Sequence, residues 1–149
     1  MNRTPVRLAT VSLLAVATLA CGSPSGPTSG DLLAQRALWS RQGLKNYSYD
    51  YTETGFFICC TEGQQMRLQV RNDTVVSAVL AATGQPVPGS PPRLPTIDAL
   101  FALAEQAARD HRLSGILFDP LLHYPVRIDL AGPPDASGSE FAAHVQRLP

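Results

Sequence analysis

Two adjacent cysteines, Cys59 and Cys60, are the most unusual chemical feature of the chain. They follow the apolar run Phe56-Phe57-Ile58 and precede Thr61 to Gly63, a stretch with turn composition. In an oxidising compartment neighbouring thiols can join only through a strained eight-membered ring, and strain makes a disulfide easier to reduce. Three uses compete: a redox or thiol-sensing pair, part of a metal site, and a structural pair that is bridged or buried. A closed zinc site needs ligands beyond two thiolates. His111, His123 and His144 are scattered without ligand spacing, so neither a metal centre nor a cofactor is expected.

Carboxylates are the next candidates. Asp50, Asp119 and Asp129 could in principle supply paired acids for hydrolysis. The residue context argues otherwise, because Asp119-Pro120 initiates a turn, Tyr124-Pro125 stiffens the start of a strand, and acids on strands face solvent. The chain has no GxSxG elbow, no HExxH pair and no phosphate-cradling glycine loop. Binding is therefore expected before catalysis. Tyr47, Tyr49 and Tyr51, with Phe56, Phe57, Asp119 and Tyr124, form a candidate recognition surface, since aromatic side chains dominate interaction hot spots. Core packing is the competing use of the same rings.

The elements that must position these residues follow from periodicity. From Asp31 to Leu44 the pattern is helical, with Leu33, Ala37, Ser40 and Leu44 on one stripe and Leu32 and Trp39 on its shoulder. Tyr47 to Thr52 alternates with period two and predicts a strand. Met66 to Arg71 and Thr74 to Leu80 flank Asn72-Asp73 and predict a hairpin with Val70 facing Val75 and Met66 facing Val79. The proline-rich residues 81–95 predict a long connection without a ladder. Thr96 is placed to cap a helix whose apolar positions are Ile97, Leu100, Phe101, Ala104, Ala107 and Ala108, with Gly115 ending it. Short strands at Ile116 to Phe118, Val126 to Leu130 and Phe141 to Val145 complete the order α-β-β-β-α-β-β-β. The expected class is α+β, a single antiparallel sheet with two helices on one face, the other face lined by Arg67, Gln69 and Arg71.

Of the 149 residues, 12 are basic and 12 acidic, and the mean hydropathy is near zero. With no apolar run beyond the N-terminus long enough to span a bilayer, these values exclude a polytopic membrane protein and a highly charged disordered chain, and the neutral balance argues against a nucleic-acid partner. Residues 1–20 have basic Arg3 and Arg7 and an apolar stretch from Leu8 to Ala20, the pattern of an export signal. Leu19-Ala20-Cys21 resembles a bacterial lipobox. The resemblance implies cleavage before Cys21 and acylation of its thiol with palmitate-type chains, giving a membrane anchor. Gly22 to Gly30 then reads as a flexible tether, and residues 31–149 as one domain. Without the leader the balance becomes mildly acidic. Gly22 and Ser23 lack the Asp that commonly retains lipoproteins at an inner membrane, so in a bacterium with two membranes the expected location is the outer one, facing the periplasm.

The series Trp39, Asn46-Tyr47-x-Tyr49, Cys59-Cys60, Thr96-Ile97-Asp98-x-Leu100-Phe101 and Phe118-Asp119-Pro120-x-x-x-Tyr124-Pro125 resembles an uncharacterised family of bacterial lipoproteins, a domain of unknown function. Its members carry W, NYxY, CxC, TIDxLF and YDPxxGYP in this order. Here the cysteines are adjacent, and His123 stands where the family has glycine. The resemblance implies a fold and a membrane-anchored location and no established activity; the binding reading of the aromatic residues makes an envelope protein or peptide the expected partner.

Overall fold

The computed structural model describes residues 29–54, 63–87, 94–132 and 139–147, of which 29–30 and 139–147 are described by backbone alone. The leader, Cys21, Phe56, Phe57, Cys59 and Cys60 lie outside the described residues. The elements are α1 (Ser29–Arg41), β1 (Tyr47–Thr54), β2 (Met66–Arg71), β3 (Thr74–Leu80), α2 (Ile97–Arg109), β4 (Leu113–Phe118), β5 (Pro125–Leu130) and β6 (Ser139–Arg147). This is the α+β order that the periodicity predicts. The strands hydrogen-bond in the order β3-β2-β1-β6-β5-β4, each neighbouring pair antiparallel. The first and last strands of the domain thus meet at the centre of the sheet, from Tyr47 opposite Arg147 to Thr54 opposite Glu140.

Alternation decides which face is apolar. Tyr47, Tyr49 and Tyr51 of β1, Met66, Leu68 and Val70 of β2 and Ile128 of β5 are buried on the helix side. α2 lays Ile97, Leu100, Phe101, Ala104 and Ala107 onto that face, and the Phe101 ring stacks on Phe118 with centroids 6.1 Å apart. On the opposite face Arg67 and Arg71 are exposed, and Arg67 forks onto Asp50 at 2.8 and 3.0 Å.

Four sequence expectations are corrected. The buried stripe of α1 contains Leu32 and Trp39, whereas Leu33 is 59% exposed and Ala37 and Ser40 face solvent. Between Leu32 and Trp39 on that stripe sits Arg36, whose guanidinium meets Glu105 of α2 at 2.8 Å; a charged residue on the packing face is why hydropathy alone mis-rotates the helix. α2 ends before Gly115: His111 takes a left-handed φ of 55°, its N–H donates to Ala108 O at 3.3 Å, and the Arg112 N–H donates to Ala107 O at 2.7 Å. This is a Schellman cap made without glycine. Gly115 instead lies within β4, where a Cβ would come 2.7 Å from Asp129 Oδ2.

In the hairpin Val70 does face Val75, and Asn72 and Asp73 take φ of 46° and 59°. Beyond Val75 the register shifts by one residue, so Met66 faces Leu80 and not Val79. Finally, the proline-rich connection does join the ladder at one point. Pro86 bridges Val79, the Leu80 N–H donates to Gln85 O at 2.9 Å and the Val87 N–H to Ala78 O at 3.0 Å. A proline fits there because the bonds on either side use the Gln85 carbonyl as acceptor and the Val87 N–H as donor, and none needs an N–H at residue 86. The result is a strap across the outer edge of β3.

The orientation of α1 yields a direct contrast. Leu32→Ala is expected to lower unfolding stability by about 2–5 kcal/mol, and Leu33→Ala by no more than about 0.5 kcal/mol. Urea denaturation of both variants checks it, and equal losses would contradict the buried stripe.

Candidate functional site

The tyrosines of β1 are core residues. Tyr47, Tyr49 and Tyr51 are 0%, 0% and 1% exposed, so their rings are not available as a recognition surface. They form a column that continues through Trp39 to Tyr124, with Trp39 edge-on to Tyr47 at 5.6 Å and to Tyr124 at 6.0 Å. Edge contacts of this kind add to simple area burial. Tyr124 is itself 1% exposed and belongs to the core with them.

The hydroxyls of the three β1 tyrosines each have a defined job. Tyr47 Oη accepts the Ile97 N–H at 3.0 Å, one of the donors that the first turn of a helix leaves without an internal partner. Thr96 Oγ1 accepts another, from Ala99 at 3.2 Å. The Tyr49 hydroxyl donates to the Pro95 carbonyl, and Tyr51 donates to Glu53 Oε2 at 3.2 Å. Glu53 is only 8% exposed. Burial pushes the phenol pKa of Tyr47 upward, with the Ile97 amide opposing it in part. Burial raises Tyr49 well above the usual tyrosine range, helped by its neighbours Tyr47 and Tyr51. Tyr51 is raised by burial and then by the Glu53 carboxylate.

Asp119 is consumed by its turn. Its Oδ1 accepts from Leu121 N at 2.9 Å and Leu122 N at 2.6 Å, its own N–H donates to Tyr124 O at 2.8 Å, and His123 N–H donates to Asp119 O at 2.9 Å. This knot closes the β4–β5 hairpin with His123 at a φ of 66°, a conformation that glycine adopts without strain. His123 Nδ1 also meets Gln35 Oε1 of α1 at 3.0 Å. Asp50 and Asp129 pair with Arg67 and Arg127 on the outer face. The fold therefore does not bring the acids and the tyrosines together as one surface.

Clefts among the described residues include one of about 430 Å³ lined by Gln64, Gln65, Arg67, Leu80 and Thr83. One of about 90 Å³ lies between Trp39, Leu44, Lys45, Asp73 and Asp98; Lys45 pairs with Asp73 at its mouth, and that hydrogen bond and charge raise the lysine's pKa. Another, about 190 Å³, lies between Leu32, Leu33, Ala108 and Arg109. No group of His, Cys, Asp or Glu among the described residues is arranged to hold a metal ion.

A family model described as a family of unknown function, DUF6174, matches residues 31–149. The chain belongs to this family. No curated protein and no solved structure is significantly similar to it. For a DUF6174 domain the geometry assigns clear work to the recognisable residues: Trp39, Tyr47 and Tyr49 join β1 to α1 and to the start of α2, and the Asp119 to Tyr124 stretch ties the β4–β5 turn.

Residues that periodicity did not single out stand elsewhere. Among the described residues β4 pairs with β5 alone and lies at the end of the strand order. Leu117 on it is 59% exposed and Leu121 just beyond it 79% exposed. A signal was present in the sequence, since Leu113–Phe118 reads LSGILF without one ionisable side chain, unlike most exposed edges.

The tyrosine column predicts alkaline behaviour with a fixed sign. Unfolded tyrosines ionise near pH ~10, and the folded values lie higher. Above that pH the unfolded chain gives up protons that the folded chain keeps, so stability from these groups is fully present below pH ~10 and is lost as pH rises. Tyr47→Phe leaves the Ile97 N–H without its acceptor, an expected loss of about 1–3 kcal/mol at neutral pH, and it lessens the alkaline decline. Denaturant titrations of both proteins from neutral to strongly alkaline pH check this; an unchanged stability for Tyr47→Phe would contradict the assigned contact.

Proposed function

We propose that the protein is a lipid-anchored envelope module that works by binding another polypeptide rather than by catalysis. Residues 1–20 serve as the export signal, Cys21 carries the palmitate-type lipid and residues 22–28 form the tether, which ends where α1 begins at Ser29. No helix among the described residues is long and apolar enough to cross a membrane. In a host with two membranes the module stands on the outer membrane and faces the periplasm, with an envelope protein or peptide as partner.

The observation that carries the binding reading is the asymmetry of the sheet's two edges. The β3 edge is strapped by Gln85 to Val87. Among the described residues no strand pairs with the outer side of β4, at the other end, where Leu117 and Leu121 are exposed. Such an edge can accept an extended strand, with backbone hydrogen bonds giving affinity and alternate side chains giving selectivity.

One experiment separates anchor from binding. Cys21→Ser is expected to move the protein from the membrane fraction to the soluble fraction, and continued membrane association would contradict the anchor. Capture of partners from envelope extract with the intact chain is expected to fall when Leu117 is changed to Lys, an exposed substitution that leaves the fold in place. Recovery of no specific partner would contradict the binding reading.

A further inference from the structure

We infer that the strand accepted by the β4 edge is β4 of a second copy of this chain, arranged antiparallel about a two-fold axis. This rests on the reading of β4 as the binding edge and names its partner. Three observations lead to it. The first is register. β4 is irregular between Leu113 and Gly115 and again between Leu117 and Phe118, which leaves Gly115–Leu117 as its regularly paired stretch. Opposed residues of antiparallel strands must share a face. Ile116 faces the core side opposite buried Ile128, while Gly115 and Leu117 lie opposite Asp129 and Arg127 on the outer face. A two-fold through Ile116 satisfies this rule for the whole stretch.

The second observation is steric complementarity. In that register Gly115 of one copy stands opposite Leu117 of the other, and the reverse contact repeats it, as a two-fold interface requires. A 59% exposed leucine meets a position with no side chain of its own, beside the Asp129 side chain that fills the space where a Cβ would stand. Asp129, which leans over Gly115, is already neutralised by Arg127 at 2.9 Å.

The third observation is charge. The strand has no ionisable side chain, but exposed Arg112 precedes it and half-buried Asp119 follows it. Antiparallel copies bring Arg112 of each, whose Nε donates to Ala131 O, towards the Asp119 carboxylate of the other, which keeps its charge while Oδ1 holds the Leu121 and Leu122 amides. Parallel copies would set Arg112 against Arg112 and Asp119 against Asp119. The charges flanking this edge therefore select an antiparallel copy of the same strand. The regular stretch is short, so the pairing is modest in solution, and confinement of both copies to one membrane raises their effective concentration.

The test uses the full chain expressed in a bacterial envelope. Ile116→Cys places two thiols across the axis; mild copper–phenanthroline oxidation is expected to give a disulfide-linked species at twice the monomer mass. That species is expected to be absent from the unsubstituted chain and from Leu121→Cys, and to be lost when Leu117→Lys is added. No such species with Ile116→Cys, or equal amounts with Leu121→Cys, overturns the proposal. Because Ile116 packs partly against the core, sedimentation of the detergent-extracted chain serves as the second measurement. Two protomers for the unsubstituted protein and one for Leu117→Lys support self-pairing, and a single protomer for both overturns it. Should the chain prove monomeric while Leu117→Lys still abolishes capture of an envelope partner, self-pairing falls and the β4 binding edge stands.

Discussion

A hydrogen bond from the Ile97 backbone to the Tyr47 hydroxyl, 3.0 Å long and closed off from water, fixes where the second half of the domain begins relative to the first. The chain must leave β3, cross a proline-rich connection and start α2 over the centre of the sheet. A helix start presents N–H groups that need acceptors, and burying one without a partner costs about 1–3 kcal/mol. Tyr47 meets that need from below, Tyr49 holds the Pro95 carbonyl beside it, and Trp39 braces the Tyr47 ring edge-on. Because β1 pairs with both β2 and β6, a displacement of its tyrosines would disturb both halves of the sheet. The Asn-Tyr-x-Tyr and Thr-Ile-Asp motifs are thus two sides of one joint.

Much of this architecture was legible in the residues. Helix α2 announced itself through Thr96, the apolar stripe and the charges at its two ends, and β1 through strict alternation. The hairpin at Asn72-Asp73 was legible because those residues tolerate positive φ. What failed did so for identifiable reasons. α1 was mis-rotated because Arg36 sits on its packing face and is satisfied by Glu105, a residue far away in sequence. The end of α2 was misplaced because His111 adopts the conformation normally reserved for glycine. The β2–β3 register slipped because one extra residue in β3 is invisible to a pattern of alternating hydropathy.

The candidate site was less legible than the fold. Aromatic residues are used both for packing and for recognition, and sequence does not separate the two. Burial does, and it assigns Tyr47, Tyr49, Tyr51 and Tyr124 to the core. Asp119 likewise resembles a catalytic acid until its carboxylate oxygen is seen holding the Leu121 and Leu122 amides. The surface that remains is a strand edge, and an edge depends on strand order, which no local motif encodes. Only its lack of charge, Leu113 to Phe118, was visible beforehand. With β1 and β6 joined at the centre, β3 and β4 become the rims, and the strap closes just one of them.

The joint between β1 and α2 is most directly tested by native-state hydrogen exchange at the Ile97 amide. Residues of an exposed first helical turn exchange through local fraying at little free-energy cost, whereas an amide held by a buried acceptor exchanges only when the surrounding structure opens. The Ile97 N–H is expected to be protected to nearly the global unfolding free energy, and Tyr47→Phe to lower that protection selectively relative to the amides of β2. An Ile97 amide that exchanges as freely as an exposed helix start, or one unaffected by removal of the Tyr47 hydroxyl, would contradict this.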